Sequence, residues 1–169
     1  LMKVVVLSDT HFGARRQSKE FLAYFKKFYE EVFFPYIDEH KIDTIIHMGD
    51  LVDHRKSINF FVLNQLKEQF LNPLKERGIT MHLVVGNHDV AYKNSNDLNS
   101  PKLLLSEYDN VIIYDDTARD VEIGNMKACM IPWINKSNKK SVYARVRASK
   151  AQIAFGHLEL NGYSVLPGV

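Results

Sequence analysis

Four short apolar runs in this sequence each stop abruptly at polar side chains. KVVVLSDTH delivers Asp9 and His11, DTIIHMGD delivers Gly49-Asp50, HLVVGNHD delivers Asn87, His88 and Asp89, and AQIAFGH delivers Gly156-His157. Runs this short, β-branched and continuously apolar have the pattern of strands covered on both faces. Helical spacing fills the intervals. From Ser18 to about His40, Phe21, Leu22, Phe25, Phe28, Tyr29, Val32 and Phe33 recur on one side, with Ser18 placed to cap the start. Ile58 to about Arg77 predicts a second helix that Gly78 would end. A short helix is expected around Ser100 to Tyr108, and a basic one from Ser141 to about Lys150. NVIIYDD and VEIGNMKACMIPW read as further strands, with a turn at Gly124-Asn125. Strands alternating with helices predict an α/β fold with a largely parallel central sheet flanked by helices.

In open α/β sheets, ligand sites lie beyond the carboxyl ends of the strands. Four segments far apart in sequence would therefore meet in one crevice. Their donors are carboxylate, amide and imidazole, with no thiolate, a set that suits manganese, iron or zinc better than a structural thiolate site. Asp9 and His11, two residues apart, share a side if extended. Asp50 could bridge two cations through its two oxygens, and cations about 3.5–4 Å apart serve phosphoryl transfer. Each residue alone has a plainer reading: Asp9 a turn carboxylate, Asn87 a left-handed turn residue, His157 a satisfied core histidine. The agreement of four strand ends favours a site. Asp89 reads as a cap for the segment after it, and His40, His47 and His82 as structural or solvated.

The 169 residues fit one domain with a real core, and the net charge of +2 neither demands nor excludes nucleic acid. A lone cysteine, Cys129, allows no intrachain disulfide and points to a reducing compartment. The opening residues turn polar too soon for a secretory segment and no run approaches a membrane span, so a cytoplasmic setting without membrane contact is expected.

The motifs DTH (Asp9 to His11), GD (Gly49-Asp50) and GNHD (Gly86 to Asp89), in that order, resemble the calcineurin-like metallophosphoesterases. GDLVDHRK, GNHDVAYKN and GHLELNG are most similar to the SbcD-type nuclease branch, including the recombination endonucleases of T-even-like phages. The resemblance runs from Lys3 to Gly162. It implies a metallophosphoesterase fold with a two-metal site at strand ends: Asp9 and His11 on the first ion, Asp50 bridging, Asn87 and His157 on the second. It places His88 beside the scissile phosphate, where an imidazole can stabilise charge or protonate the leaving oxygen. The ions it implies are manganese first, with magnesium, iron or zinc as alternatives. It further implies a DNA phosphodiester substrate, a role in recombination and repair, a homodimer, and a partner ATPase of the SbcC-like, SMC family. The helix around INFFVLNQLKEQFLNPL carries enough apolar surface for a dimer contact, or for packing on the sheet. Nothing after His157 matches the family's last motif, Gly-His-X-His. The domain, residues 2–169, is therefore expected to be the N-terminal part of a longer protein.

Arg55 and Lys56, directly after the second motif, are candidates for contact with nucleic-acid phosphates; Arg15, Arg16 and Tyr92-Lys93 lie similarly placed, and the SVYARVRASK helix reads as an exposed face. Two other functions remain open: a phosphoesterase for a non-DNA phosphate ester, and a metal-binding docking subunit without catalysis.

Overall fold

The computed structural model describes residues 2–159. In chain order the elements begin with β1 (Val5–Leu7) and a long helix α1, built from Lys19–Phe28, a π-helical turn Tyr29–Phe33, and Phe34–His40. Next come β2 (Thr44–His47) and a second long helix, α2, of Phe60–Leu66, a π-helical turn Lys67–Leu71, and Asn72–Glu76. β3 (Thr80–Val84), β4 (Val90–Tyr92), β5 (Ser95–Asn99), the short helix α3 (Ser100–Leu104) and β6 (Val111–Tyr114) follow. The chain then forms β7 (Arg119–Ile123), β8 (Met126–Ile131), α4 (Lys139–Ala148) and β9 (Ile153–Gly156).

β1, β2, β3 and β6 make the expected parallel sheet, in the order β1-β2-β3-β6. The period-2 alternation sorts their side chains into two cores. Ile45, Met81 and Leu83 pack under α1 and α2 with Tyr29, Ile37, Leu66 and Phe70. Ile46, Val84 and Tyr114 face the other way, onto Ile123, Ala128 and Met130 of a second sheet. That sheet, β7-β8-β9, has β7 and β8 antiparallel and β8 and β9 parallel. Its far side, through Cys129 and Ile131, packs on Val142 of α4. The layers are thus helices, sheet, sheet, helix.

Both long helices extend as their periodicity predicts, although each contains a proline, Pro35 or Pro73. An interior proline offers no N–H and its ring strikes the carbonyl four residues back. In each helix the wide π-helical turn ends shortly before the proline, which relieves that clash without a break. The Asn59 side chain caps α2, accepting from the Val62 N–H at 2.8 Å.

Two features depart from the pattern read above. The β4–β5 hairpin has no counterpart in that pattern, and the late strands form their own sheet instead of extending the central one. The ends of β8 and β9 still reach the central sheet's carboxyl edge: after β8 the Trp133 N–H donates to Val85 O at 2.8 Å, and after β9 His157 Nδ1 lies 3.0 Å from Met48 O. The GHLELNG motif is described only as far as Glu159; Leu160 to Gly162 and the chain after them lie outside the described residues.

Candidate metal centre

Beyond β1 and β2 the two chains keep running side by side. Asp9 N donates to Gly49 O, His11 N to Asp50 O and Phe12 N to Leu51 O, at 2.9–3.0 Å. To do so Asp9, His11 and Asp50 adopt φ of 57°, 43° and 55°. Non-glycine residues rarely occupy that left-handed region, and it persists only where the surroundings impose it. A buried relay supplies part of that constraint. His47 Nδ1 accepts from the Gly49 N–H (3.2 Å), so Nε2 carries the proton and donates to Thr10 Oγ1 (3.0 Å), which donates to Leu51 O (3.2 Å). Burial pushes His47 down to about 3, which keeps it neutral and fixes that tautomer. His47 is thus a structural histidine, and Thr10 is the reason the first motif has a hydroxyl at its centre.

The second and third strand ends meet at two glycines. Gly49, at φ 101°, lies so close to Gly86 that a Cβ there would come within 2.8 Å of the Gly86 backbone. Asp89 then locks the two loops together. Fully buried, it accepts N–H groups from Asp50 (2.9 Å), Gly86 (2.9 Å) and Val52 (3.2 Å). Burial raises its carboxyl to about 6 against the lowering pull of those N–H bonds. This corrects one expectation: the side chain caps nothing that follows it, because three N–H groups of earlier loops claim its oxygens. It does stay out of the donor cluster.

The donor atoms of the four strand ends converge. His11 Nε2 lies 3.5 Å from Asp9 Oδ1 and 3.6 Å from Asp50 Oδ2. From the other side, His157 Nε2 lies 3.5 Å from the same Asp50 Oδ2 and 2.8 Å from Asn87 Oδ1. Divalent-metal bonds of about 2.0–2.2 Å set neighbouring donors roughly 3–3.5 Å apart, so these spacings fit ligands sharing cations. Asp9, His11 and Asp50 could hold one ion, and Asp50, Asn87 and His157 another. His157 Nδ1 is 3.0 Å from Met48 O, which makes it the protonated nitrogen and leaves Nε2 free to coordinate. The His88 N–H donates to Asp50 Oδ1 at 2.8 Å, fixing the carboxylate that both halves share.

Asp53 has a role the sequence did not reveal. Its Oδ1 lies 3.4 Å from His11 Nδ1, a buried nitrogen without any other partner among the described residues, and its main-chain O accepts from His88 Nδ1–H at 2.7 Å. One residue thereby orients both imidazoles, and a carboxylate behind a metal-facing histidine fixes its tautomer and raises its basicity. Asp53 also stands within ligand reach of His11 and His88, but His11 turns its other nitrogen to Asp9 and Asp50. Only its position three residues after Asp50 could have drawn attention to it.

Arg55 and Lys56 line a cavity of about 350 Å³ with His54 and Tyr92, next to this Asp53 end of the cluster. Lys56 Nζ sits over the Tyr92 ring at 5.8 Å. Arg15 and Arg16 lie exposed in a left-handed turn, at φ 53° and 58°.

A fold of this layering, with two-cation donor spacing at the ends of parallel strands, defines a metal-dependent phosphoesterase class. Residues 2–166 match the family model for the calcineurin-like phosphoesterases, and the chain belongs to that family, whose members use divalent metals. It is similar to Exonuclease subunit 1 of Enterobacteria phage T4, with 32% identity over 99% of this chain and 49% of that protein. It is also similar to the DNA double-strand break repair protein Mre11 of Sulfurisphaera tokodaii, at 28% identity over 98% of this chain and 42% of that one. The chain thus spans about half the length of these relatives or slightly less. A solved structure of a protein of unknown function from Aquifex aeolicus shares the fold, with a TM-score of 0.50 and 21% identity over 94% of this chain and 80% of that one. No helix among the described residues is long and apolar enough to cross a membrane.

Proposed function

We propose that this chain is the catalytic part of a metal-dependent DNA nuclease that hydrolyses phosphodiester bonds. One observation carries the reading: a single oxygen, Asp50 Oδ2, is approached by two imidazoles from separate strand ends, His11 at 3.6 Å and His157 at 3.5 Å. That arrangement suits a bridging carboxylate between two cations. In this reading Asp9 and His11 complete one ion site and Asn87 and His157 the other, with manganese the preferred metal. In a longer form carrying Gly-His-X-His, that motif would add further ligands. When bound, the ions supply Lewis-acid polarisation of the phosphoryl group and a nucleophile from water at neutral pH.

The protein's own groups do the rest. His88, its Nδ1–H held by Asp53 O, presents Nε2 towards the substrate, where in its protonated form it can donate to the leaving oxygen. Asp53 and Asp89 act as positioning residues. Arg55 and Lys56 hold a phosphate of the DNA beside the centre. The T4 relative is named as an exonuclease subunit and the Sulfurisphaera one as a double-strand-break repair protein, which supports DNA as substrate. The T4 relative's name as a subunit supports a partner, and from the motif resemblance we further propose a cytoplasmic setting, a homodimer and an SbcC-like ATPase of the SMC family as that partner in a recombination and repair complex.

The test is cleavage of linear duplex DNA and of bis(p-nitrophenyl) phosphate with Mn2+ and with EDTA. It is run on this chain and on a longer form carrying Gly-His-X-His. Manganese-dependent cutting of both substrates by the longer form is expected. Hydrolysis of the small ester with DNA left intact would favour a non-DNA phosphoesterase, and metal binding with neither substrate cut would favour a docking subunit.

A further inference from the structure

At the His157 end of the donor cluster a second cleft opens, sharing no lining residue with the cavity that Arg55 and Lys56 line. It measures about 310 Å³ and is lined by Trp133, Lys136, Lys139, Tyr143 and His157, with Glu159 the one carboxylate among its described lining residues. The Trp133 ring meets the His157 ring edge-on, their centroids 6.4 Å apart. Lys139 Nζ sits over the Tyr143 ring at 5.6 Å, and Tyr143 is nearly half exposed. Neither Lys136 nor Lys139 forms an ion pair among the described residues, and α4 carries no acidic residue.

The loop that presents Trp133 is held with unusual completeness. Trp133 N donates to Val85 O (2.8 Å), and its carbonyl accepts from Asn96 Nδ2 (2.9 Å) and Asn138 Nδ2 (3.0 Å). Asn135 N donates to Asn138 Oδ1 (2.9 Å), and Asn135 Nδ2 to Asn96 Oδ1 (2.7 Å). Three buried amides thus fix a loop that places an aromatic ring and a lysine beside a candidate metal ligand. The Trp133 indole N–H is itself buried without a partner among the described residues. Aromatic faces beside unpaired cations form the surface on which unpaired nucleotides stack while their phosphates are held.

We propose that this cleft is a nucleotide subsite, taking an unpaired nucleotide next to the scissile phosphate, its base on Trp133 and Tyr143 and its phosphate on Lys136 and Lys139. The inference rests on the nuclease reading and extends it: the strand end must be frayed or single-stranded on this side of the centre, since a paired base presents no face to stack. Arg55 and Lys56, lining a separate cavity, would then give the substrate strand a second cationic grip.

Trp133 is the only tryptophan of the sequence, so its fluorescence reports on this cleft alone. A fluorescently labelled oligothymidylate is titrated into the protein with Ca2+ in place of Mn2+, following label anisotropy and Trp133 emission together. Binding should quench Trp133 in step with anisotropy. Lys136→Glu/Lys139→Glu should weaken binding about tenfold. Because the one phosphate these two cations hold is released, it should also reduce the slope of log affinity against log salt by about 0.7. Arg145→Glu/Arg147→Glu, on the same helix but not lining the cleft, should bind nearly as the parent does. Binding that leaves Trp133 unquenched, or equal losses in both charge-reversed pairs, would overturn the subsite and leave the nuclease reading standing. No binding of oligothymidylate or duplex would bring down both.

Discussion

Replacing Gly86 by alanine tests whether the crossing of two loops sets the position of the shared carboxylate. A Cβ at Gly86 would stand 2.3 Å from Asp50 Oδ1 and 2.4 Å from Asp50 N, where ordinary contact begins at 3.4 Å. One side must therefore give by about 1 Å. Neither is free to do so: Asp50 N and Gly86 N both donate to Asp89 Oδ2 at 2.9 Å, and Asp50 Oδ1 accepts from His88 N at 2.8 Å. Overpacking a filled site costs about 1–3 kcal/mol, and for a domain of this size each kcal/mol lowers Tm by roughly 2–4 °C. A Tm lower by about 2–12 °C is expected in metal-free protein. An error of 1 Å at a reacting centre costs on the order of a hundredfold in rate, and the manganese affinity should weaken with it. Calorimetric titration of Mn2+ and a thermal melt, with and without metal, read both effects. Gly78→Ala is the control, at a glycine whose added Cβ would meet nothing within 4 Å. It should cost backbone strain and leave manganese binding intact. A Gly86→Ala protein that melts and binds manganese like the parent would refute the argument that Gly86 packing positions Asp50.

Removing the imidazole in His88→Ala should cut hydrolysis by roughly 10²–10⁴ while manganese still binds, as calorimetry beside a cleavage assay would show; unchanged cleavage would remove His88 from the chemistry. Asp53→Asn deletes the carboxylate behind His11 but keeps the carbonyl that holds His88. Manganese affinity should fall about 10–100-fold, and a variant with parental affinity would show that Asp53 orients nothing. His82, buried against Tyr114 Oη at 2.8 Å, has its pKa lowered from 6.5 by burial. Its neutral form therefore stabilises the fold above pH 6.5, and that contribution is lost as pH falls from there through the lowered value. His82→Gln should lose less Tm between pH 7.5 and 5 than the parent does. Some acid sensitivity should remain from His47, which shifts the same way. An equal loss in the variant would contradict the burial argument.

What can be read from the sequence is what short-range chemistry decides. The apolar runs ending at Asp9, Asp50 and Asn87 are legible because a doubly covered strand must be continuously apolar, and its polar end stands out. The extents of α1 and α2 are legible from their period, even past Pro35 and Pro73. What escapes depends on tertiary neighbours. The β5 run Ser-Asn-Asp-Leu-Asn carries no strand pattern and is held by its pairing with β4 and by buried amide bonds. Asp89 misleads because two of its partners, Asp50 and Val52, are 39 and 37 residues away in sequence. Asp53 resembles one more loop carboxylate until His11 and His88 are seen to lean on it. His157 reaches the donor cluster although its strand belongs to the second sheet, since the two sheets pack face to face and their ends meet at Val85 and Trp133.

The most direct test of the account is anomalous difference density at the manganese edge from crystals grown with Mn2+. Two peaks are expected beside the Asp50 carboxylate, one within bonding distance of Asp9 and His11 and the other of Asn87 and His157. A single peak held by His11, Asp53 and His88, or no peak at Asp50, would contradict it.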